Sequence, residues 1–79
     1  QTQNFWVGLS QFLPAGGAEK GASPTDKVYV VLEGEVTIVT KDGETVLGPL
    51  DSCLLAANEE RSVNNRSNNI ARMLVISPN

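Results

Sequence analysis

Few residues of this chain are able to do chemistry, and one of them is unusually placed. In "PTDKVYVVLEGEVTI", residues 24 to 38, Lys27 stands directly before an apolar run, Val28 to Leu32, that ends in a Glu33-Gly34 turn. An ammonium in that position attracts an anion, and without its proton it is a base or a Schiff-base nucleophile. Tyr29 shares strand parity with Lys27, so its hydroxyl points the same way, to orient a ligand or to find a backbone partner. The single Cys53 lies inside "SCLLAA", where a buried thiol acts as a small hydrophobe, and one cysteine makes no internal disulfide. The chain has no histidine, so the commonest metal ligand and general base is missing.

These groups are positioned by strands. An antiparallel strand with one wet face alternates polar and apolar residues, so the uninterrupted run Val28 to Leu32 predicts burial on both faces. On the last strand, Met73 and Val75 share one face and Leu74 and Ile76 the other, which makes "MLVI" apolar on both sides as well. Elsewhere the rhythm is of short extended runs between turn signals. "NFWVGLSQFLPAGG" reads as a strand closing in a Pro14-Gly16-Gly17 loop, with Gly8 marking a bulge or bend and with Phe5 and Trp6 facing opposite ways. Residues 18 to 26 are turn-rich around a short extended piece. Lys27 to Leu32, Glu35 to Thr40 and Thr45 to Leu47 follow as a three-stranded meander, its second turn a type I′ hairpin at Asp42-Gly43. Cys53 to Ala57, Arg61 to Asn64 and Ile70 to Ile76 complete the set. A helix over "DSCLLAANEERSV" is the alternative, with Asp51 or Ser52 as cap, and the surrounding strand rhythm decides against it. Seven or eight short antiparallel strands predict an all-β sandwich or barrel.

The totals agree with a small folded unit. At 79 residues the expectation is one domain, residues 1 to 79. Area scaling for 8.4 kDa gives about 60% of the chain's surface buried on folding, which leaves stability marginal and makes self-association useful. With two doubly apolar strands, a homodimer joined through sheet faces or swapped edges is the economical arrangement. Six basic residues against nine acidic ones give a net charge of −3. The bases are scattered, which excludes a nucleic-acid partner and an anionic membrane surface. One cysteine, no long apolar span and no signal-peptide pattern place the expectation in the cytoplasm. The chain lacks an initiator Met, which points to an N-terminal piece removed or left out.

At "YVVLEGEVTI", with "GPLDS" about fourteen residues beyond Gly34 and an asparagine in the loop before "ARMLVI", nearly the whole chain resembles the small single-domain cupins. The resemblance implies a jelly-roll barrel of antiparallel strands, commonly dimeric and commonly holding a divalent metal inside. It also exposes a departure. The first family motif expects two histidines, a glutamate and a glycine. Anchored on Gly34 these fall on Gly21, Ser23, Lys27 and Gly34, so only the glycine is kept. The second expects glycine, proline, glycine, histidine and asparagine; anchored on Asn65 these fall on Leu50, Ala56, Asn58, Arg61 and Asn65, and only the asparagine matches. Asn58 suits a turn glycine's place because asparagine tolerates left-handed angles. Lys27 and Arg61 present only donors and Gly21 has no side chain, so the usual metal site is rejected and no cofactor is expected. A carboxylate-only site from Glu19, Glu33, Glu35 or Asp26 is the other metal option, and these read as turn and surface residues.

On this resemblance Lys27 and Arg61 converge on one spot in the barrel, with Tyr29 and Ser23 beside them. Two cations in a low-dielectric cup need compensation. Three sources stay open: a small anionic ligand held by an Arg61 fork and a Lys27 point charge, an internal carboxylate such as Glu19 or Glu33, or both side chains snorkelling to water. The functional expectation is a metal-free, small-molecule-binding domain, with two alternatives. One is an isomerase, epimerase or lyase using Lys27; the other is a ligand-free dimerisation module with a filled barrel.

Overall fold

A computed structural model describes residues 4–78, the side chains of residues 18–20 excepted. Within them the chain forms eight strands: β1 (Phe5–Phe12), β2 (Gly17–Gly21), β3 (Lys27–Glu33), β4 (Val36–Thr40), β5 (Gly43–Leu47), β6 (Ser52–Leu55), β7 (Arg61–Asn64) and β8 (Ala71–Pro78). They make two four-stranded antiparallel sheets, ordered β1-β8-β3-β6 and β2-β7-β4-β5. Every connection except the β4–β5 hairpin carries the chain from one sheet to the other, which is the winding of a jelly roll. The all-β barrel expected from the turn rhythm is therefore the fold, and the segment considered for a helix is the strand Ser52–Leu55 followed by a turn.

Three local expectations are corrected. β3, β4 and β5 are not a meander, because at Glu33-Gly34 the chain turns a corner between sheets. Gly34 takes φ +77°, and a methyl group there would lie 2.9 Å from the Cα of Ala71, so both the angle and the close approach of β8 require glycine. The β4–β5 hairpin forms with Thr40 paired to Gly43. Yet among non-glycine residues only Ala15, Leu50 and Asn58 have positive φ, so Asp42 does not supply the angle of a type I′ turn; Gly43 absorbs the twist at φ +126°. Gly8 marks no bulge, since β1 keeps unbroken register with β8 from Phe5 to Phe12. What it provides is space: a methyl there would fall 2.8 Å from Cζ2 of Trp6.

Register sets which side chains face inward. Tyr29, Val31, Leu55, Ala71 and Met73 from one sheet meet Val36, Ile38, Leu47 and Val63 from the other, and all nine are buried. Asn58 has φ 66°, the left-handed angle its type allows. Leu50 adopts φ 69° without that excuse, at a cost of about 1 kcal/mol.

The lower end of the barrel, where β1 stops and β8 starts, is closed by Asn65. Its side chain is fully buried. Nδ2 donates to the carbonyls of Phe12 at 3.0 Å and Asn69 at 2.7 Å. Oδ1 accepts from the backbone N–H of Ser67 at 3.0 Å and from its hydroxyl at 2.6 Å. Its backbone is tied to the start of β2, donating to Gly16 O at 2.8 Å and accepting from Ala15 N at 2.9 Å. Removing the amide takes a donor from two carbonyls at once, leaving that of Asn69 only the Ser67 hydroxyl, and removes the acceptor of Ser67. Asn65→Ala is expected to lower stability by about 3 kcal/mol, read as a lower urea midpoint by circular dichroism; a change under about 0.5 kcal/mol, the range of ordinary surface substitutions, would contradict this role.

Candidate functional site

The upper end lies at the opposite ends of the same strands, and it is polar. Trp6 pairs with Ser77, and Val28 pairs with Ile76, so Lys27 lies on the other side of Ser77. Trp6, Ser77 and Lys27 thus form an inward-facing row across three strands. Serine is short, and the Lys27 stem reaches across it to bring Nζ over the Trp6 ring, 5.8 Å from the centroid. An ammonium over an indole face is held by the ring quadrupole.

Arg61 starts β7 in the facing sheet and reaches across the barrel. Its Nε donates to the Tyr29 hydroxyl at 3.1 Å, and Nη1 donates to the Glu59 carbonyl at 3.4 Å. The guanidinium carbon stands 5.9 Å from the Tyr29 ring centroid. Tyr29 is 5% exposed, so its hydroxyl has been taken from water and finds its partner in a side chain of the opposite sheet.

Ser23 lies buried in the loop above Lys27. Its hydroxyl is 3.3 Å from that of Thr25, which in turn is 3.2 Å from that of Ser77, and its carbonyl accepts from Asn58 N at 2.6 Å. A line of three hydroxyls therefore runs from the loop to the Trp6–Lys27 row. The rim is fixed by two carboxylates: Asp26 accepts from Ala57 N at 2.8 Å, and Glu59 accepts from Ala56 N at 3.1 Å.

The four residues singled out in the sequence all border this end. Arg61 and Tyr29 are joined directly, Ser23 joins through hydroxyls, and Lys27 is turned toward Trp6. Strand parity alone gives Trp6 an inward or an outward face, and only the order β1-β8-β3 puts it next to Lys27. Thr25 and Ser77 were not singled out, being hydroxyls in a turn and near the chain end with no local signal. The internal-carboxylate option fails for Glu33, which pairs with Arg72 at the lower end. Arg66 pairs with Glu44 in an exposed fork, and its guanidinium holds the Glu44 carboxyl below the usual range. Glu19 lies outside the described side chains.

The donor chemistry of the upper end does not suit a divalent cation. Lys27 and Arg61 offer N–H groups without lone pairs, and the Ser23 hydroxyl is engaged with Thr25. Among the described residues no three histidine, cysteine, aspartate or glutamate side chains converge, and Asp26, Glu33 and Glu35 are exposed. A groove of about 700 Å³ lined by Val39, Lys41, Asp42, Asn58, Glu59 and Ser62 lies outside the barrel. No helix is long and apolar enough to cross a membrane.

Residues 8–77 match the cupin domain model. The chain is 48% identical over 75 residues to a beta-D-galactosidase of Mycobacterium tuberculosis, an alignment covering 95% of this chain and 65% of that protein. It therefore spans about two-thirds of the length of this relative. Among solved structures it is similar to the TT1209 protein of Thermus thermophilus, with TM-score 0.90 and 29% identity over 99% of this chain and 75% of that one. A cupin superfamily protein of Desulfitobacterium hafniense superimposes with TM-score 0.88 at 22% identity, covering 99% of this chain and 70% of the other.

Cys53 packs partly buried against the core, facing inward opposite Tyr29. Burial pushes its thiol up from the usual range, and the nearby Glu59 carboxylate adds to the shift. The folded group thus holds its proton to higher pH than the unfolded one. Iodoacetamide labelling of the native chain is expected to rise with pH only above the profile of the urea-unfolded chain, and coincident profiles would contradict it.

Proposed function

We infer the function from one premise, that this chain belongs to the cupin family. The reading the upper end supports best is a metal-free, small-molecule-binding cupin whose ligand is anionic. Lys27 supplies a point charge, Arg61 its remaining guanidinium donors, and Tyr29 and Ser23 the orienting hydroxyls. One observation carries the reading. Both cations stand at the same end of the barrel and, among the described residues, are engaged by ring faces, a hydroxyl and a carbonyl rather than by a carboxylate. Such contacts hold a cation in place without neutralising it, so charge remains for a ligand to meet.

A second reading, an enzyme acting on galactosides, is favoured by the 48% identity to the mycobacterial beta-D-galactosidase. Glycoside hydrolysis is ordinarily done by two carboxyl groups, and Asp26 and Glu59 are the ones at this rim. Lys27 is the group for isomerase, epimerase or lyase chemistry on a carbonyl substrate. Turnover of a nitrophenyl galactoside, or borohydride trapping of a carbonyl compound on Lys27, separates catalysis from binding.

The working unit in this proposal is a homodimer. Leu9, Val28, Val30, Leu54, Leu74 and Ile76 all face outward from the first sheet and form one apolar patch across its four strands. Leu9 is 63% and Leu54 67% exposed. The outer face of the second sheet is mixed, with Thr37, Glu44, Ser62 and Asn64 beside Val39 and Val46. A patch this continuous on so small a chain marks an interface, and a second copy brings an identical patch that a two-fold axis matches to it.

Two outcomes are expected. Citrate, phosphate or sulfate raises the melting temperature of the chain, and the Lys27→Ala, Arg61→Ala double variant loses that rise; equal shifts in both would remove the anion reading. Leu54→Asp moves the chain from dimer to monomer in sedimentation, whereas a chain already monomeric at micromolar concentration would remove the dimer.

A further inference from the structure

The chain makes room for Trp6. Its indole lies against Gly8, where any side chain would collide with the ring. It faces inward by register and is still 41% exposed. At one side stands the Lys27 ammonium, and adjacent in the row is Ser77, the end of the Ser23–Thr25–Ser77 hydroxyl line. A flat aromatic face, a row of hydroxyls and two cations are thus gathered at one rim.

We propose that Trp6 is the platform of a sugar subsite and that the ligand of the upper end is an anionic pyranose, a uronate or a sugar phosphate. The proposal rests on the anion reading above and deepens it by naming the ligand class. A pyranose has one face of C–H bonds, which stacks on an aromatic ring as other flat or apolar groups do. Its hydroxyls both donate and accept, which suits the hydroxyl of Thr25, half-buried between the buried Ser23 and Ser77. Its carboxylate or phosphate draws the Lys27 ammonium off the ring, exchanging a cation–π contact for a charge-assisted hydrogen bond, while Arg61 remains anchored on Tyr29. An inorganic anion uses only the cations, and a neutral sugar only the platform and hydroxyls.

The chain contains one tryptophan, so its emission reports on Trp6 alone. The probes are D-galacturonate, galactose 6-phosphate, galactose and sulfate, titrated against the intact chain with binding followed by emission and by calorimetry. One or both sugar anions are expected to shift the emission and to bind at least about fivefold more tightly than sulfate, the gain of one stacking contact. A response to galacturonate alone assigns the carboxylate source, and to galactose 6-phosphate alone the phosphate source. Trp6→Leu, which also frees Lys27 from the ring, is expected to cancel the gain of the sugar anions over sulfate, read by calorimetry as the ratio of the two affinities within the variant. Gly8→Ala, which keeps the fluorophore but displaces the ring, is expected to do the same. Sugar anions that bind no more tightly than sulfate and leave the emission unchanged would overturn the platform while the anion reading stands. Galactose binding as tightly as galacturonate would overturn the anionic class. If none of the probes binds, both readings fail.

Discussion

A single buried amide, that of Asn65, closes the lower end of the barrel, and the open upper end depends on it. The carbonyl of Phe12 ends β1, that of Asn69 precedes β8, and Gly16 leads into β2. All three belong to chain crossings between the sheets, where backbone groups leave the ladders and would be buried unpaired. The Asn65 side chain takes two of them and its backbone N–H the third. At the opposite ends of the same strands Arg61 reaches Tyr29 across the barrel. Polar closure below and a polar rim above belong to one winding.

Much of the strand layout was legible because turn chemistry is local. Gly34 and Asn58 carry left-handed angles that their types announce, and the parity of Lys27 with Tyr29 follows from the two-residue period of a strand. Relations across the barrel were not legible. Arg61 and Tyr29 are 32 residues apart on facing sheets, and their contact depends on the order in which strands cross over. The same holds for Trp6 and Lys27, which meet only because β8 lies between β1 and β3. Gly8 shows why a glycine inside a strand is ambiguous: the pattern suggested a bulge, and the cause is a ring lying over it. Leu50 shows the opposite failure, a left-handed residue whose type gives no hint of its angle.

The two sheets differ on their outer faces more than in the core. Both contribute aliphatic side chains inward, but outward one carries mostly leucine, valine and isoleucine while the other mixes Val39 and Val46 with threonine, serine, asparagine and an exposed Arg66–Glu44 pair. A small chain buries a modest fraction of its own surface, so an apolar outer face is a liability alone and a source of stability once covered. This is why runs such as "VYVVL" do not alternate: inward positions fill the barrel, and outward positions make the apolar outer face of the first sheet.

The charge at the upper end follows the same logic of complementarity. Where the family pattern calls for groups that give lone pairs to a cation, this chain has Lys27 and Arg61, which give only protons in hydrogen bonds. Such a replacement reverses the hydrogen-bonding polarity of these positions, from lone pairs offered to protons offered. The reversal is stable only if the cations are restrained from folding back onto nearby acids. Here Asp26 and Glu59 are tied to the backbone of the rim, Glu33 is paired with Arg72 at the far end, and Tyr29 and Trp6 hold the cations by their rings. Aromatic faces are well suited to that task, because a cation leaves them for an arriving carboxylate or phosphate more readily than it leaves a resident carboxylate. The pair of rings and the pair of cations are therefore one device, and neither is intelligible without the other.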